Sequence, residues 1–310
     1  MFDYKQYLPS YIAHGKPSAD TLRHYEDEID NYLEWLDGNA YGALEIDESD
    51  ALRYLQFLYD QGYADASVNL KIAAVRSFYH VANKLRLIAE NPFKDVKPKA
   101  PAYDDTDFEF LNPDEIREIC LMLSAGAATS AINLRDLAIV MLMAVEGLRT
   151  VEVHRMNDED INTARKSILI HGKGRDGYIF PCEDTFSILQ RYIKSRPAAN
   201  VDADGTPTFV SMASNFKGTR ITRNGIRWAI NHVLIAADKK KVGAACHMLR
   251  HSCGTNLYAA TKDLRLVQET LRQKDPAVTA RYTHVTERLT ARPTQQLSPL
   301  GGVDLDPYDM

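Results

Sequence analysis

The chain has 310 residues, 45% of them hydrophobic, with a formal net charge of −5, which is enough apolar material for more than one core and too mixed a composition for a fibrous or disordered chain. No apolar run approaches the ~20 residues of a membrane-crossing helix, and the opening MFDYKQYLPS lacks the basic-then-apolar order of a secretory leader, so a cytoplasmic protein without a membrane partner is expected. Cys120, Cys182, Cys246 and Cys253 are the only cysteines; they form no disulfide framework and are expected as free thiols.

In KPSADTLRHYEDEIDNYLEWL, Ser18 is a good N-cap, Asp20 falls in the first turn, and Leu22, Tyr25, Ile29, Tyr32, Leu33 and Leu36 recur at helical spacing. A second helix is predicted through DALRYLQFLYDQ. A third follows in SVNLKIAAVRSFYHVANKL, with Ser67 as its cap and Val68, Ile72, Val75, Phe78 and Tyr79 as the apolar stripe. Its opposite face carries Lys71, Arg76 and Lys84, which suit either solvent or an anionic partner.

NPFKDVKPKAPAYDDTDFEF then loses all periodicity and holds Pro92, Pro98 and Pro101, as an interdomain linker does. The expected division is a helical domain over 1–97, a linker over 98–110, a second domain over 111–290 and a C-terminal tail over 291–310. Asn112-Pro113-Asp114-Glu115 opens the second domain with a cap, a proline at the first helical position and two carboxylates in the first turn. The apolar helix in MLMAVEGLRTVEVHRM ends at Gly147, with Arg149 just beyond it. KSILIHGKGRDGYIFPC holds two short apolar runs around a Gly-rich turn, the pattern of a β-hairpin with Lys173 and Arg175 at its tip. Later segments return to helices. The fold class is therefore mainly α with a small β-hairpin or sheet, an α+β architecture in two domains.

Averaged charge hides a local field. Residues 1–100 hold 11 Lys/Arg and 16 Asp/Glu, whereas Arg165 to Arg250 hold 15 against 6. A basic block in an acidic chain suits a phosphate-facing surface, although solvated faces give similar counts. Within it, FKGTRITRNGIRWAINHVL opens a helix at Thr222 with Arg223, Asn224 and Arg227 near its start. HMLRHSCGTNLY places His247, Arg250 and His251 on one side of a helix. Three chemistries suit that cluster: a zinc site, solvated structure, or an anion site built from guanidinium and imidazole. Zinc is disfavoured because Met248 follows His247 and no second Cys/His pair stands at a useful spacing.

The ordered boxes EGLRTVEV, HGKGRD, HMLRHSCGTNL and TARYTH resemble the four catalytic boxes of the tyrosine recombinase (phage-integrase) family, and the likeness spans residues 5 to 285. Length and layout are similar to its compact, Xer-like members. The resemblance implies a two-domain DNA clamp, with a SAM-like core-binding domain ahead of a catalytic domain. It implies site-specific cleavage and rejoining of double-stranded DNA recombination sites through a 3′-phosphotyrosine. The roles it carries over are Tyr282 as nucleophile, Arg149 and Arg250 on the scissile phosphate, His247 as base and Lys173 as proton donor to the leaving 5′-oxygen. Glu152, one turn after Arg149, and His251 suit support of that site and ordinary helix packing equally. Because the phosphotyrosyl bond keeps the energy of the broken phosphodiester, the implied chemistry calls for no metal or other cofactor.

The likeness further implies DNA contacts from Lys71, Arg76, Lys84, Arg175, Thr222, Arg223, Asn224 and Arg227. It also implies a homotetramer on two sites with C-terminal segments docked on neighbours, and it leaves room for an accessory or partner recombinase. One position departs from the pattern: where the family has Leu-Gly-His or Trp, this chain reads Leu271-Arg272-Gln273. Glutamine can donate a hydrogen bond but cannot carry charge or shuttle a proton. That departure keeps a catalytically silent DNA-binding relative in view, and the shared phosphotyrosine chemistry keeps a type IB topoisomerase in view.

Overall fold

The computed structural model describes residues 2–100, 108–127, 130–172, 176–241 and 245–273, together with 279 and 282. The chain divides into two compact units, residues 1–104 and 105–310.

In the first unit, α1 (Tyr4–Tyr11), α2 (Ala19–Gly38), α3 (Glu48–Asp60) and α4 (Asp65–Lys84) surround one core. Ser18 caps α2 as its sequence requires, accepting the Thr21 N–H at 3.2 Å. The stripe read on α4 is the centre of that core: Val68, Ile72, Val75, Phe78 and Tyr79 are all fully buried. The start of α4 differs from expectation. It begins at Asp65, after an extended Ala64 that offers no side-chain cap, so Ser67 lies inside the first turn. An acidic residue against the positive helix end serves there in place of a hydroxyl cap. α1, only eight residues long with Pro9 inside it, escaped the sequence reading, although Tyr4, Tyr7, Leu8 and Tyr11 stand at helical spacing.

The second unit is built on α5 (Pro113–Ala127) and α6 (Ala131–Ala144). Asn112 and Glu115 close a reciprocal capping box at the start of α5, at 2.9 and 2.8 Å. Every residue of α6 from Leu134 to Ala144 is buried, including Arg135 and Asp136, which pair with each other at 2.8 Å. After Ala144 the Leu148 N–H returns to the Leu142 carbonyl at 2.9 Å. Gly147 supplies the left-handed residue of this turn at φ 68°.

The short α7 (Thr150–Arg155) follows, then a three-stranded antiparallel sheet in the order β1 (Ile161–Asn162), β2 (Ser167–Ile170), β3 (Gly177–Ile179). β2 and β3 are the expected hairpin, in register through Ile168↔Ile179 and Ile170↔Gly177. The two residues of β1 are too short to leave a pattern. Helices α8 (Glu183–Ser195), α9 (Arg223–Ala236), α10 (Cys246–Thr261) and α11 (Leu264–Thr270) follow among the described residues. The chain is thus mostly helical with one small sheet. None of its described helices is long and apolar enough to cross a membrane.

Candidate active site

The turn after α6, the N-terminus of α7, the first two turns of α10 and the residues after α11 converge in the second unit. Glu152 lies at the centre, with only 3% of its side chain exposed. Its Oε1 accepts the Arg149 guanidinium at 2.9 Å, and its Oε2 accepts the Arg149 backbone N–H at 2.8 Å. Oε2 also accepts Arg272 Nη2 at 2.9 Å and lies 3.9 Å from Arg250 Nη1. Burial pushes the Glu152 pKa up, but Arg272, the Arg149 N–H and Arg250 outweigh it and hold the carboxyl below the ordinary glutamate value.

Arg250 is 5% exposed. Its guanidinium donates to the Gly147 and Leu271 carbonyls, so the turn after α6 and the end of α11 grip it from two sides. Desolvation first, then the neighbouring Arg149 charge, bring its pKa down to about 10. It stays charged at neutral pH. Arg149 is the more open of the two, with 37% of its side chain exposed.

His247, at the start of α10, is exposed. Desolvation and then the charges of Arg227, Arg250 and Arg149 lower its pKa below the ordinary imidazole value. A neutral imidazole among guanidiniums can accept a proton at neutral pH.

Tyr282 is fully buried. Its ring lies flat against Gly254, where a Cβ would come within 2.6–2.8 Å of three ring carbons. A glycine inside a helix costs about 1 kcal/mol relative to alanine, and this close approach is what it provides. The phenol oxygen is 3.3 Å from His251 Nδ1, and Phe108 packs on both rings, with centroids at 4.8 Å from His251 and 5.6 Å from Tyr282. His251, rather than His247, is therefore the histidine at the phenol. Phe108 was missed because it falls in the stretch read as linker.

Gln273 accepts the Thr279 hydroxyl at 2.6 Å through Oε1, which ties it to the segment carrying Tyr282. Lys173 and Arg175 lie outside the described residues. The base of their hairpin is clamped by His171, between Asp160 at 2.8 Å and Asp176 at 3.2 Å.

The residues read as DNA contacts separate on inspection. Thr222 caps α9, accepting the Gly225 N–H at 2.9 Å, and is exposed together with Asn224 and Arg227; Arg223 is half-buried. Arg227 is among the charges that lower the His247 pKa, and α9 is in contact with α10. In the first unit Lys84 is exposed, whereas Lys71 pairs with Glu28 and lies 4.6 Å from the Tyr63 ring centre. Arg76 turns inward and donates to the Phe93 and Val96 carbonyls at 2.9 and 2.6 Å. Arg76 fastens the chain after α4 to the helix. Its helix face alone could not reveal this, because the acceptors come from a later, irregular segment.

Among the described residues no group of three or more His, Cys, Asp or Glu is placed to hold a metal. Cys246 and Cys253 are buried free thiols, and burial raises both, Cys253 to about 12. What the centre offers is an anion site, with three guanidiniums around one carboxylate.

The family model for the phage integrase family matches residues 109–288, and that for the phage integrase N-terminal SAM-like domain matches residues 4–84. The tyrosine recombinase XerC of Pediococcus pentosaceus is 31% identical over 289 residues, 92% of each chain. The chain belongs to the phage integrase family. It is a tyrosine-type site-specific recombinase. A further family member, the XerD tyrosine recombinase of Oceanobacillus iheyensis, is 28% identical over 87% of this chain and 89% of its own.

Solved structures of the family share the fold. The post-cleavage complex of the XerH site-specific recombinase with a palindromic difH substrate has a TM-score of 0.72 at 20% identity, covering 89% of this chain and 80% of that one. The lambda integrase dimer bound to a COC′ core site has a TM-score of 0.64 at 16% identity, covering 88% and 94%.

Proposed function

We propose that this recombinase binds duplex DNA recombination sites and cuts one strand at a time through a 3′-phosphotyrosine on Tyr282. The observation that carries the reading is the set of guanidiniums from Arg149, Arg250 and Arg272 around the carboxylate of Glu152, with His247 beside them. That surplus of positive charge suits a phosphodiester, whose non-bridging oxygens gain negative charge as the attacking oxygen arrives.

Arg149 and Arg250 bracket those oxygens with hydrogen bonds that strengthen in the transition state. The Tyr282 phenol oxygen attacks phosphorus, the bond to the 5′-oxygen breaks, and that oxygen takes a proton from Lys173. The phenol, with an ordinary pKa of ~10, loses its proton to His247 or through His251. Since Tyr282 is fully buried, the phenol leaves its cluster on Gly254 before it attacks. Rejoining reverses the step with a partner 5′-hydroxyl as nucleophile and needs no external energy source.

Residues 1–97 and 111–290 close on DNA as a clamp joined by 98–110, and four subunits assemble on two sites with the tail over 291–310 docked on a neighbour. The relatives named for recombinase–DNA complexes support the DNA partner. Covalent trapping tests the whole reading. A nicked suicide duplex from the protein's own genomic neighbourhood should yield an adduct that survives a denaturing gel. Binding without an adduct would point to a silent DNA-binding relative, and relaxation of supercoiled DNA without recombination to topoisomerase activity.

Two variants refine it. Arg223→Ala should cost about 1–3 kcal/mol of site binding and flatten the preference at one base pair if Arg223 reads a base edge. A phosphate contact would instead lower the salt dependence and leave preference intact, and unchanged affinity would remove Arg223 from the interface. Gln273→His should raise the cleavage rate, because imidazole restores a donor that can carry charge. A rate equal to or below that of the parent would show that glutamine is no handicap at that position.

A further inference from the structure

Arg272 occupies a place where the backbone favours glycine. Its φ is 51°, in the left-handed region, which is strained for a residue that carries a side chain. Its Nε is buried without a hydrogen-bond partner among the described residues, a second cost. Strained residues of this kind persist where the surroundings over-determine them, and they cluster at functional sites.

The surroundings here are specific. Nη2 donates to Glu152 Oε2 at 2.9 Å and approaches the Gly147 carbonyl at 3.4 Å, while Nη1 donates to the Thr270 carbonyl at 2.8 Å. The Gly147 carbonyl is one of the two that grip Arg250, and the other belongs to Leu271, the residue immediately before Arg272. The left-handed turn at Arg272 therefore does two things at once. It aims the Leu271 carbonyl at Arg250 and sends its own guanidinium into the carboxylate that orients Arg149. Its Cδ also lies 4.0 Å from where a Cβ on Gly177 would stand, so the same side chain borders the strand that closes the Lys173 hairpin.

We propose that Arg272 is a positioning residue of this active site, a third guanidinium that clamps Glu152 and through it fixes Arg149 and Arg250 for the scissile phosphate. The positioning role rests on the function proposed above; the clamp on Glu152 does not. The charged groups facing Glu152 are Arg149 at the head of α7, Arg250 from α10 and Arg272 after α11. Removing Arg272 takes away the strongest of the charges that keep Glu152 ionised.

The test uses the full chain and three variants: Arg272→Gly, which relaxes the backbone, Arg272→Met, which keeps a long stem without charge, and Arg272→Lys, which restores charge. Without DNA, Tm is followed against pH. Glu152 has a depressed folded pKa, so its contribution to stability is present above the ordinary carboxylate range and lost as pH falls through the folded value. The Tm gap between the parent and Arg272→Met should therefore be widest near neutral pH and close on acidification, and Arg272→Lys should narrow it. A gap that stays constant with pH overturns the clamp.

With a nicked suicide duplex, Arg272→Gly and Arg272→Met should cleave up to roughly a hundredfold more slowly, on the scale of a misplaced catalytic group. KM for DNA should be little changed, the acid limb of the rate profile should move to higher pH, and Arg272→Lys should recover part of the rate. Parent-like rates and limbs in the uncharged variants overturn the positioning role. If the parent itself forms no adduct, the proposed function fails, and the DNA-free titration still decides whether Arg272 clamps Glu152.

Discussion

Replacement of Tyr282 by phenylalanine is expected to abolish the covalent protein–DNA adduct completely while leaving fold and site binding intact. Phenylalanine keeps the ring that lies against Gly254 and beneath Phe108, so the packing of the cluster survives. What is lost is the hydroxyl and its 3.3 Å contact with His251, a hydrogen bond worth about 0.5–1.5 kcal/mol net. Phenylalanine has no oxygen with which to attack phosphorus, so the expected effect on cleavage is all or nothing. The measurement is a denaturing gel of parent and variant on the suicide duplex, paired with a mobility shift for binding and a melting curve. An adduct formed by Tyr282→Phe would assign the nucleophile elsewhere.

The second large effect is expected at Arg250. Removing one preorganised donor from a developing oxyanion costs about 10²–10³ in rate, so Arg250→Ala and Arg149→Ala should both lose at least that much cleavage. Stability should separate them. Arg250→Ala strips the Gly147 and Leu271 carbonyls of a buried donor and takes a charge from beside Glu152. At about 1–3 kcal/mol for each buried group that loses its donor and about 2–4 °C per kcal/mol for a unit of this size, its Tm should fall by at least ~4 °C. The smaller loss is expected for Arg149→Ala, whose guanidinium is 37% exposed and whose partner Glu152 retains Arg272. Equal Tm losses, or a rate loss confined to one arginine, would contradict the grip described for Arg250.

Much of the fold was legible because it is local. The capped start of α2, the apolar stripe of α4 and the hairpin around Lys173 each follow from spacing within a dozen or so residues. The failures are also local in origin. α1 is eight residues long with a proline inside it, β1 is two residues long, and α4 begins at Asp65 because an acidic first turn can replace a capping serine.

In the candidate site, the ordered boxes and their resemblance to the tyrosine recombinase family marked Arg149, His247, Arg250 and Tyr282; taken singly, each of these residues suits ordinary structure as well. The structure places Arg149, His247 and Arg250 together and sets Tyr282 in an adjoining cluster. It could not be read from the sequence that Arg76 faces inward to the Phe93 and Val96 carbonyls, or that Lys71 pairs with Glu28 across 43 residues of chain.

The sequence by itself determined the two-part helical organisation, the basic block ahead of Arg250 and the order of the chemistry-bearing boxes, because periodicity and residue chemistry are properties of short stretches. Only the tertiary structure decided that Glu152 is the hub of three arginines, that His251 rather than His247 meets the phenol, and that Arg272 stands in a glycine-like turn. The physical reason is distance along the chain: Arg272 meets Glu152 from 120 residues away. An ion pair of that span leaves no period or spacing behind, and only the packing of α7, α10 and α11 brings its partners together.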